Sequence, residues 1–390
     1  MKQGWEIKKL GEVCDIQGGS TPKRTESLYW EGGTYPWFTI EDIREQGRII
    51  TDTKQKVTKV AWDKLRVFPK DTVLLCCTAS IGEYAITHIP ITSNQQFNGL
   101  MIKDKSYLSP MYLMHYCATL KEKLSTLSGK ATIDFVSAEK VRQIPIPVPP
   151  MEEQERIVAE LDCLSSVIEK KREQLRELDA LAQSIFYQMF GDPITNEKGW
   201  EVKKLGEVCD VRDGTHDSPK YLEYSDYILI TSKNITNDGN IDFSTANYIS
   251  KEDYDAINKR SYVESGDIIM AMIGTIGKPI IVKETDKKFC IKNVALIKFG
   301  CSTMVINTYI KAMLNNPDYG QYIQSQNKGG TQKFVALGTI RNLPIPLPSI
   351  EIQQQFADKI EAIEKQKELI KQSITQTEEL FNARMDYYFN

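Results

Sequence analysis

The chain contains an internal duplication, and this constrains its fold more than any other feature. Residues 4–16 read GWEIKKLGEVCDI and residues 199–211 read GWEVKKLGEVCDV, so eleven of thirteen positions are identical. Similarity returns at a proline-rich stretch, IPIPVP at residues 144–149 and LPIPLP at residues 343–348. Self-similarity of this kind indicates two copies of one structural unit. Each copy has fixed ends and a divergent middle.

Each proline-rich stretch is followed by a segment of about 40 residues that contains neither proline nor glycine, which predicts a long helix. Apolar residues recur in both segments at alternating spacings of four and three, the pattern of a coiled-coil seam. Lys171 and Lys367 interrupt the pattern, as polar residues that fix a register often do. Two helices that lie separately on their own domains are the alternative. The predicted seam residues are Ile157, Leu161, Leu164, Ile168, Leu175, Leu178, Ile185, Phe356, Ile360, Ile363, Ile370, Ile374 and Phe381.

The order of the segments predicts a first globular domain at residues 1–150, a helix at 151–190, a second domain at 191–348 and a helix at 349–390. The second domain connects the end of one helix to the start of the other, so paired helices should run antiparallel. At 1.5 Å per residue each would be roughly 60 Å long. We therefore expect an approximate two-fold arrangement, with one domain at each end of the helix pair.

Short β-rich runs bounded by turn residues occur in both domains, as at residues 72–75 and 267–272. Helical patterns follow at residues 110–127 and 307–325. Together these patterns predict an α+β chain, in which two tandem mixed α/β domains are joined by the two long helices.

Charge is distributed unevenly along the chain. The net charge is −3, from 49 basic and 52 acidic residues. Counted by part, the domains carry +4 and 0, whereas the helices carry −4 and −3. Because phosphate binding depends on lysine and arginine, the domains permit duplex binding, and the acidic helices favour a protein partner.

Several classes of function lack their usual signature. No run of about 18 apolar residues is present to span a membrane, and the N-terminus does not resemble a signal peptide, so we expect a cytoplasmic protein. Eight scattered cysteines without a CxxC pair predict reduced, buried thiols and no metal site. The three histidines do not form a nucleophile–base pattern, and GTIGK at residues 274–278 is interpreted as a turn because Met272 stands where a phosphate loop needs glycine. We expect no catalysis by the chain itself.

Several motifs resemble those of the specificity (S) subunits of type I restriction-modification systems. WEIKKLGEV at residues 5–13, with its repeat from Trp200, is similar to the start of their target recognition domains. GSTPK at residues 19–23, followed by Tyr35-Pro36-Trp37, resembles the family's Gly-x-Thr-Pro loop, and GTHDSP at residues 214–219 resembles a second form of it. The first proline-rich stretch is followed by EEQ at residues 152–154, which is similar to the family's helix start. After the second proline-rich stretch the corresponding residues are Glu-Ile-Gln.

This resemblance implies that each domain reads one half of a split target in double-stranded DNA, with the helices as a spacer. It also implies two methyltransferase (modification) subunits and restriction/translocase subunits as partners. S-adenosylmethionine, ATP and magnesium would belong to those partners, and this chain would hold no cofactor. Two domains separated by roughly 60 Å would exceed one duplex turn of about 34 Å, which leaves an unread gap between the half-sites.

Polar and basic residues in turn-rich loops are the candidate DNA contacts, because lysine and arginine bind phosphates or guanine and glutamine can bind adenine. A solvated loop residue is the alternative at each position, and Trp30 and Trp37 are expected in the core. The candidates in the first copy are Thr21, Lys23, Arg24, Ser80, Lys130 and Thr132. Those in the second copy are Thr215, His216, Ser218, Lys220, Lys328, Thr331, Gln332 and Lys333.

Two other classes of function are open at this stage. The chain could be a structural scaffold with two ligand-binding domains on a coiled-coil rod, for example for carbohydrate. A metal-dependent nuclease would need an acidic and basic cluster such as Glu-Lys-Lys at residues 169–171. That run lies on a predicted coiled-coil helix, where a solvated face is the simpler interpretation.

Overall fold

The fold was analysed in a computed structural model that describes residues 4–128, 135–236, 239–273, 277–300, 302–326 and 334–390. The chain divides into two compact units. The first unit comprises Met1–Arg172 with Gln372–Asn390, and the second comprises Glu173–Lys371. Each unit therefore contains one predicted globular domain together with part of each long helix.

The described part of the first domain contains ten short strands and seven short helices, and the first long helix follows it. The strands are β1 (Glu6–Lys9), β2 (Cys14–Gly18), β3 (Tyr35–Phe38), β4 (Ile49–Ile50), β5 (Gln55–Val57), β6 (Val73–Cys76), β7 (Tyr84–Thr87), β8 (Thr92–Ser93), β9 (Phe97–Ile102) and β10 (Pro145–Val148). The helices are α1 (Leu10–Val13), α2 (Ser27–Trp30), α3 (Ile40–Gln46), α4 (Lys59–Trp62), α5 (Pro110–Ala118), α6 (Lys121–Ser128), α7 (Ala138–Arg142) and the long α8 (Met151–Phe190).

A five-stranded sheet in the order β2-β9-β6-β7-β4 forms the centre of the first domain, beside a three-stranded sheet in the order β5-β3-β8. Strand β6 reads VLLC and is buried along its whole length. Because side chains alternate between faces, Val73 and Leu75 pack in the core that contains α5, whereas Leu74 and Cys76 pack with Phe38. A continuous apolar strand therefore marks a sheet that is covered on both faces.

The described part of the second unit repeats this plan with nine strands. The strands are β11 (Glu201–Lys204), β12 (Asp210–Asp213), β13 (Tyr227–Ile230), β14 (Asn247–Tyr248), β15 (Ile268–Ala271), β16 (Gly277–Ile281), β17 (Lys288–Ile291), β18 (Val294–Lys298) and β19 (Pro344–Leu347). The helices are α9 (Leu205–Val208), α10 (Lys251–Ser261), α11 (Asn307–Leu314), α12 (Pro317–Ser325), α13 (Leu337–Arg341) and the long α14 (Ile350–Phe389). Its larger sheet has the order β12-β18-β15-β16 and its smaller one the order β14-β13-β17.

The helical pattern expected near residue 110 and its counterpart near residue 307 each form two helices instead of one. The first breaks between α5 and α6, and the second breaks at Asn316, whose side chain accepts hydrogen bonds from the amides of Asp318 and Tyr319. Pro317 at the first position of α12 cannot donate to the preceding turn, so a new helix begins there.

The proline-rich stretches form edge strands. In the first unit β10 pairs antiparallel with β1, and in the second β19 pairs antiparallel with β11. Proline has no N–H and is tolerated at a sheet edge, so alternating prolines suit a two-stranded ribbon. This ribbon brings the start of each repeat next to its exit, which explains why both ends of the repeat are retained together.

A buried glutamine holds each long helix to its domain. Gln154 Nε2 donates to the carbonyls of Pro149 (2.8 Å) and Tyr107 (2.9 Å), and its Oε1 accepts from the Ser109 amide at 2.8 Å. Its counterpart Gln353 donates to the carbonyls of Pro348 and Met304 and accepts from the Ile306 amide. Both side chains are fully buried.

The residue before each glutamine can therefore differ between the two copies. Glu153 forms a surface ion pair with Arg156 at 2.7 Å, and Ile352 stands at the equivalent position in the second copy. The equivalent glutamine makes the same buried hydrogen bonds in both copies.

The long helices run antiparallel in the first unit. Arg156 contacts the Tyr388 hydroxyl near the start of α8, whereas Lys171, further along α8, contacts Ser373 near the other end of this part of α14. Ile157 and Leu161 are fully buried in the domain core, together with the end of α14.

The second unit has the same antiparallel pairing. Lys367 forms an ion pair with Asp179 at 2.7 Å, and Phe356 packs against Phe186 and Phe190. Across both units, all thirteen predicted seam residues are buried or half-buried, which confirms the coiled-coil pattern. The described residues include no helix with the length and apolar character needed to cross a membrane.

Candidate nucleic-acid interface

Strand topology places three loops of the first domain at one edge of its sheets. Gly18 pairs with Asn98, Cys76 pairs with Phe97, and Phe38 pairs with Ser93. The chain therefore leaves β2, β6, β3 and β8 and enters β9 at the same edge. We call residues 19–24, 77–83 and 94–96 the first loop cluster.

The second domain repeats this edge. Asp213 pairs with Ala295, Ala271 pairs with Val294, and the parallel strands β13 and β17 end together at Ile230 and Ile291. Residues 214–220, 272–273 and 292–293 form the second loop cluster, which is topologically equivalent to the first.

A glycine opens each loop because the backbone passes very close to a neighbouring strand. A Cβ atom added to Gly19 would lie 2.5 Å from the Ser93 carbonyl oxygen, and one added to Gly214 would lie 2.3 Å from the Ile291 oxygen. The residues that follow, Ser20 and Thr215, donate their amides to these same oxygens at 2.8 and 3.0 Å. The two glycines predicted to begin a family-like loop are therefore required sterically.

Equivalent side-chain hydrogen bonds join the two sides of each loop cluster. In the first domain the Thr21 hydroxyl donates to Gln95 Oε1. In the second, His216 Nδ1 lies 2.9 Å from Asn293 Oδ1. These two hydrogen bonds lie at equivalent positions but are made by different side chains. The two loop clusters therefore present different chemical groups at the same place on the fold.

Arg24 lies against two tryptophan rings in the first domain. Its guanidinium carbon is 4.0 Å from the Trp30 ring centroid and 4.4 Å from that of Trp37, and its NH1 donates to Gln55 Oε1 at 2.7 Å. Among the described residues, no carboxylate lies within ion-pair distance of this guanidinium. Arg24 is thus a positive charge held in a fixed direction at an exposed surface, with its remaining N–H groups available to a ligand.

The two tryptophans donate hydrogen bonds to the backbone of the loop that contains Arg24. Trp37 is 1% exposed, and its Nε1 donates to the Ser20 carbonyl at 3.2 Å. Trp30 is half-buried and donates to the Lys23 carbonyl, while the Lys23 side chain extends into solvent near Glu26. Both tryptophans therefore pack in the small cluster around Val57, as expected for core residues.

Ser80 lies in the turn between β6 and β7, next to Ala79, which has a positive φ of 60°. It lines a cleft of about 460 Å³ together with Arg44 and Lys121. Glu83 also lines this cleft, so its charged groups are of both signs. Ser80 belongs to the first loop cluster and lies at the predicted edge, but the described hydrogen bonds of Thr21 and Arg24 do not involve it.

The second loop cluster contains a buried cation that the sequence analysis missed. Lys292 is 9% exposed and directs its ammonium group to the Ser218 hydroxyl, while Lys220 further along the loop is exposed. Asp213 is 5% exposed and accepts from both Arg260 and His216. The structure thus adds Lys292, Asp213 and Arg260 to the predicted residues of the second domain.

Hydrogen bonds to Asn293 and to the Asp213 carboxylate raise the pKa of His216 above its usual value. Both acceptors stabilise the protonated imidazole and outweigh burial and the nearby Arg260 charge, which lower the pKa. The second loop cluster therefore gains positive charge as the pH falls, whereas the first contains no histidine.

Six predicted contacts, Lys130, Thr132, Lys328, Thr331, Gln332 and Lys333, lie outside the described residues. The residue that follows each of these segments is placed: Phe135 bridges to Thr78 and Phe334 bridges to Ile273. Both bridges lie at the edge that carries the loop clusters.

Within the described ranges, no group of three or more His, Cys, Asp or Glu side chains is arranged to hold a metal ion. Burial raises the pKa of the Cys77 and Cys290 thiols to about 12, so they are protonated apolar residues at neutral pH. His115 pairs with Asp162 on α8, and His216 pairs with Asp213 at the end of β12.

The chain is thus built from two tandem α+β domains, each with a polar loop cluster whose side chains differ between the copies and each attached to long paired helices. The family model described as "Type I restriction modification DNA specificity domain" matches residues 2–179 and 197–379, and the chain belongs to this family. It is organised as a type I restriction-modification specificity subunit with two tandem DNA specificity domains.

Individual relatives agree with this assignment. The MjaIX specificity subunit of Methanocaldococcus jannaschii is 28% identical over 92% of this chain and 86% of its own length. The EcoprrI specificity subunit of Escherichia coli is 34% identical over 54% of this chain and 55% of its own length. The crystal structure of a type I S subunit from M. genitalium has the same fold, with a TM-score of 0.57 at 13% identity over 99% of this chain and 96% of that one.

Proposed function

We propose that this chain selects a bipartite DNA target, that each loop cluster reads one half-site, and that the long helices set the gap between them. The chain itself performs no chemistry in this proposal. Two methyltransferase subunits that bind the helices and domains would methylate adenines, and restriction/translocase subunits would cleave. S-adenosylmethionine, ATP and magnesium would be held by those partners, in the cytoplasm.

The observation that carries the proposal is the equivalence of two loop clusters with different side chains. Thr21–Gln95 and His216–Asn293 occupy the same position on the same fold. Base readout depends on which donors and acceptors reach the groove edge, so one scaffold with two different sets of side chains suits two different half-sites.

The charge distribution supports different binding partners for the domains and for the long helices. The domains carry net charges of +4 and 0, and the helix segments carry −4 and −3. Affinity for DNA grows with the number of phosphates that basic groups neutralise, so the chain alone should bind weakly. Partner subunits docked on the acidic helices would supply the additional positive charge.

The proposal is tested by mapping methylated adenines in the genome of a strain that carries the complete system. Two conserved blocks with a fixed gap are expected, and a single contiguous block would contradict the proposal. Exchange of residues 191–348 for the matching domain of a relative should change one block and leave the other intact.

The helices can be tested separately. Deletion of one heptad from each helix at matched positions removes roughly 10 Å of helix, which corresponds to about three base pairs. The gap should shorten while both blocks stay the same. A gap of unchanged length would refute the role of the helices as a spacer.

A further inference from the structure

Phe135 and Phe334 are exposed aromatic residues at equivalent positions of the two domains. Their side chains are 52% and 43% exposed. Neither belongs to a hydrophobic core cluster of its unit, and among the described rings neither stacks on another. An exposed phenylalanine is unremarkable alone, but its recurrence at one position of a divergent repeat calls for a physical reason.

The backbone fixes each phenylalanine beside its loop cluster. Phe135 bridges to Thr78, and the next residue, Val136, donates its amide to the Cys77 carbonyl at 2.8 Å. The Cys77 amide in turn donates to the Gln96 carbonyl at 2.8 Å, in the turn that contains Gln95. Phe135 is therefore two backbone hydrogen bonds away from the turn whose glutamine side chain contacts Thr21.

The second domain has the same connection. Phe334 bridges to Ile273, and Val335 donates to the Met272 carbonyl at 3.0 Å. Met272 follows β15, whose Ala271 pairs with Val294, the neighbour of Asn293. Val136 and Val335 are fully buried, so each valine anchors the segment and leaves the preceding phenylalanine outside.

The flanking sequence shows which property is retained. The three residues before the phenylalanines are Thr-Ile-Asp in the first copy and Thr-Gln-Lys in the second. Charge and polarity change beside a ring that stays the same. A contact that reads a particular base would be expected to vary with the half-site, whereas a contact with the face of a base is open to every base.

We propose that Phe135 and Phe334 insert their rings at a base step of the bound duplex, one in each half-site, and locally unstack it. Phenylalanine is among the residues that proteins use as apolar wedges between bases. The inference rests on the proposed function, since it requires DNA at the loop clusters. It adds a sequence-independent contact to each half-site.

The test uses the full chain assembled with its methyltransferase subunits and a duplex that contains the mapped target. Phe135→Ala and Phe334→Ala should each weaken binding about 5- to 150-fold, the range typical of one lost base–aromatic contact. Substitutions at exposed apolar residues elsewhere in the same domains, Val60→Ala and Tyr262→Ala, should leave affinity within about two-fold.

A spectroscopic readout separates insertion from a mere structural role. 2-Aminopurine placed in turn at each position of one half-site should brighten at one step with the wild-type complex. Phe135→Ala should remove the fluorescence signal in the first half-site only, and Phe334→Ala should remove it in the second only. Phe135→Trp and Phe334→Trp should each retain the contact.

Two outcomes would overturn the inference while leaving the proposed function intact. One is a wild-type complex that recognises both half-sites with no fluorescent step in either. The other is affinity that falls equally for specific duplex and for assembly with the methyltransferase subunits, which would mean that the rings contact protein. Failure of the wild-type complex to recognise a bipartite target would instead refute the proposed function.

Discussion

His216 Nε2 lies 2.9 Å from Asp213 Oδ2, in a network that also includes Arg260 and Asn293. Asp213 is the last residue of β12 and is almost fully buried, whereas about half of the His216 side chain is exposed. The His216–Asp213 pair therefore joins the end of β12 to the loop that follows it. The attraction between the two side chains is strongest when the imidazole is protonated.

This geometry predicts a pH-dependent contribution to stability. The pKa of His216 is raised in the folded chain, so the contribution is complete below the unfolded value of about 6.5 and is lost as pH rises through the folded value. The difference in unfolding free energy between wild type and His216→Ala should therefore shrink from pH 6 to pH 8.5, as measured by urea denaturation. Because the side chain is half-exposed, we expect a difference of roughly 1 kcal/mol or less.

His88→Ala is the matched control for this measurement. His88 is an exposed histidine in the first domain, and its backbone amide donates a hydrogen bond. The same urea denaturation is carried out on the His88→Ala variant at each pH. A His216 difference that rises with pH would contradict the assignment.

Gln353 should be sensitive to loss of its amide group. Gln353→Ala leaves the Ile306 amide and the carbonyls of Met304 and Pro348 without their buried partner, which should cost about 2–4 kcal/mol of stability. Gln354→Ala, at the exposed neighbour that contacts Asp358, should cost less than about 0.5 kcal/mol. Thermal and urea unfolding of the full chain measures both.

The same site offers a chemical check. Gln353→Glu places a carboxylate against two carbonyl oxygens, so it should destabilise the chain at pH 7 more than alanine does. Part of this loss should be recovered near pH 4.5, where a buried glutamate is protonated and can donate. Equal stability of the glutamate and alanine variants at both pH values would argue against the buried hydrogen bonds.

Arg24 should contribute to binding through a directed guanidinium group. Arg24→Ala should weaken binding of the assembled complex to its specific duplex by about 10- to 100-fold if the group reads a base. Arg24→Lys should recover little, because lysine lacks the planar group that lies on Trp30 and Trp37. Arg66→Ala, which removes an exposed charge from the same domain, is the control, and fluorescence anisotropy at several salt concentrations is the measurement.

Lys367 occupies the helix seam and is 15% exposed at its side chain. Burial by itself would lower the pKa of this lysine, but the carboxylates of Asp179 and Glu364 outweigh that effect and raise it. Lys367→Met should therefore be nearly neutral, because methionine fills a seam and both carboxylates remain in water. Lys367→Glu should cost about 2–4 kcal/mol by placing a third carboxylate beside them.

The exposed Lys365, which pairs with Glu361, provides the comparison for this pair of variants. Lys365→Glu should cost less than about 1 kcal/mol, since solvent screens its charge. If Lys365→Glu and Lys367→Glu unfold at the same urea concentration, the placement of Lys367 in the seam is contradicted.

Much of the architecture could be predicted from sequence because it depends on periodicity. The repeat indicated two copies of one structural unit, and the 4,3 spacing located the seam residues from Ile157 to Phe381. The seam pattern missed Phe186 and Phe389, whose rings near the helix ends pack into the domain cores. That choice depends on tertiary contacts, which periodicity does not encode.

The loop clusters were predicted only in part. Gly19 and Gly214 mark loops whose position in sequence is recognisable. Lys292 and Asn293 lie more than 70 residues from Ser218 and His216, and they meet only because β17 runs parallel to β13 and ends beside the β12 loop. Parallel pairing over such a separation leaves no local signature, so these residues required the structure.

The buried glutamine also bears on the history of the chain. Gln154 and Gln353 make the same three hydrogen bonds beside the same proline ribbon, so the joint between domain and helix is interchangeable between the copies. Recombination within the stretches that encode these joints would exchange one whole domain and preserve the buried glutamine hydrogen bonds at each joint. A lineage could then acquire a new half-specificity in a single event.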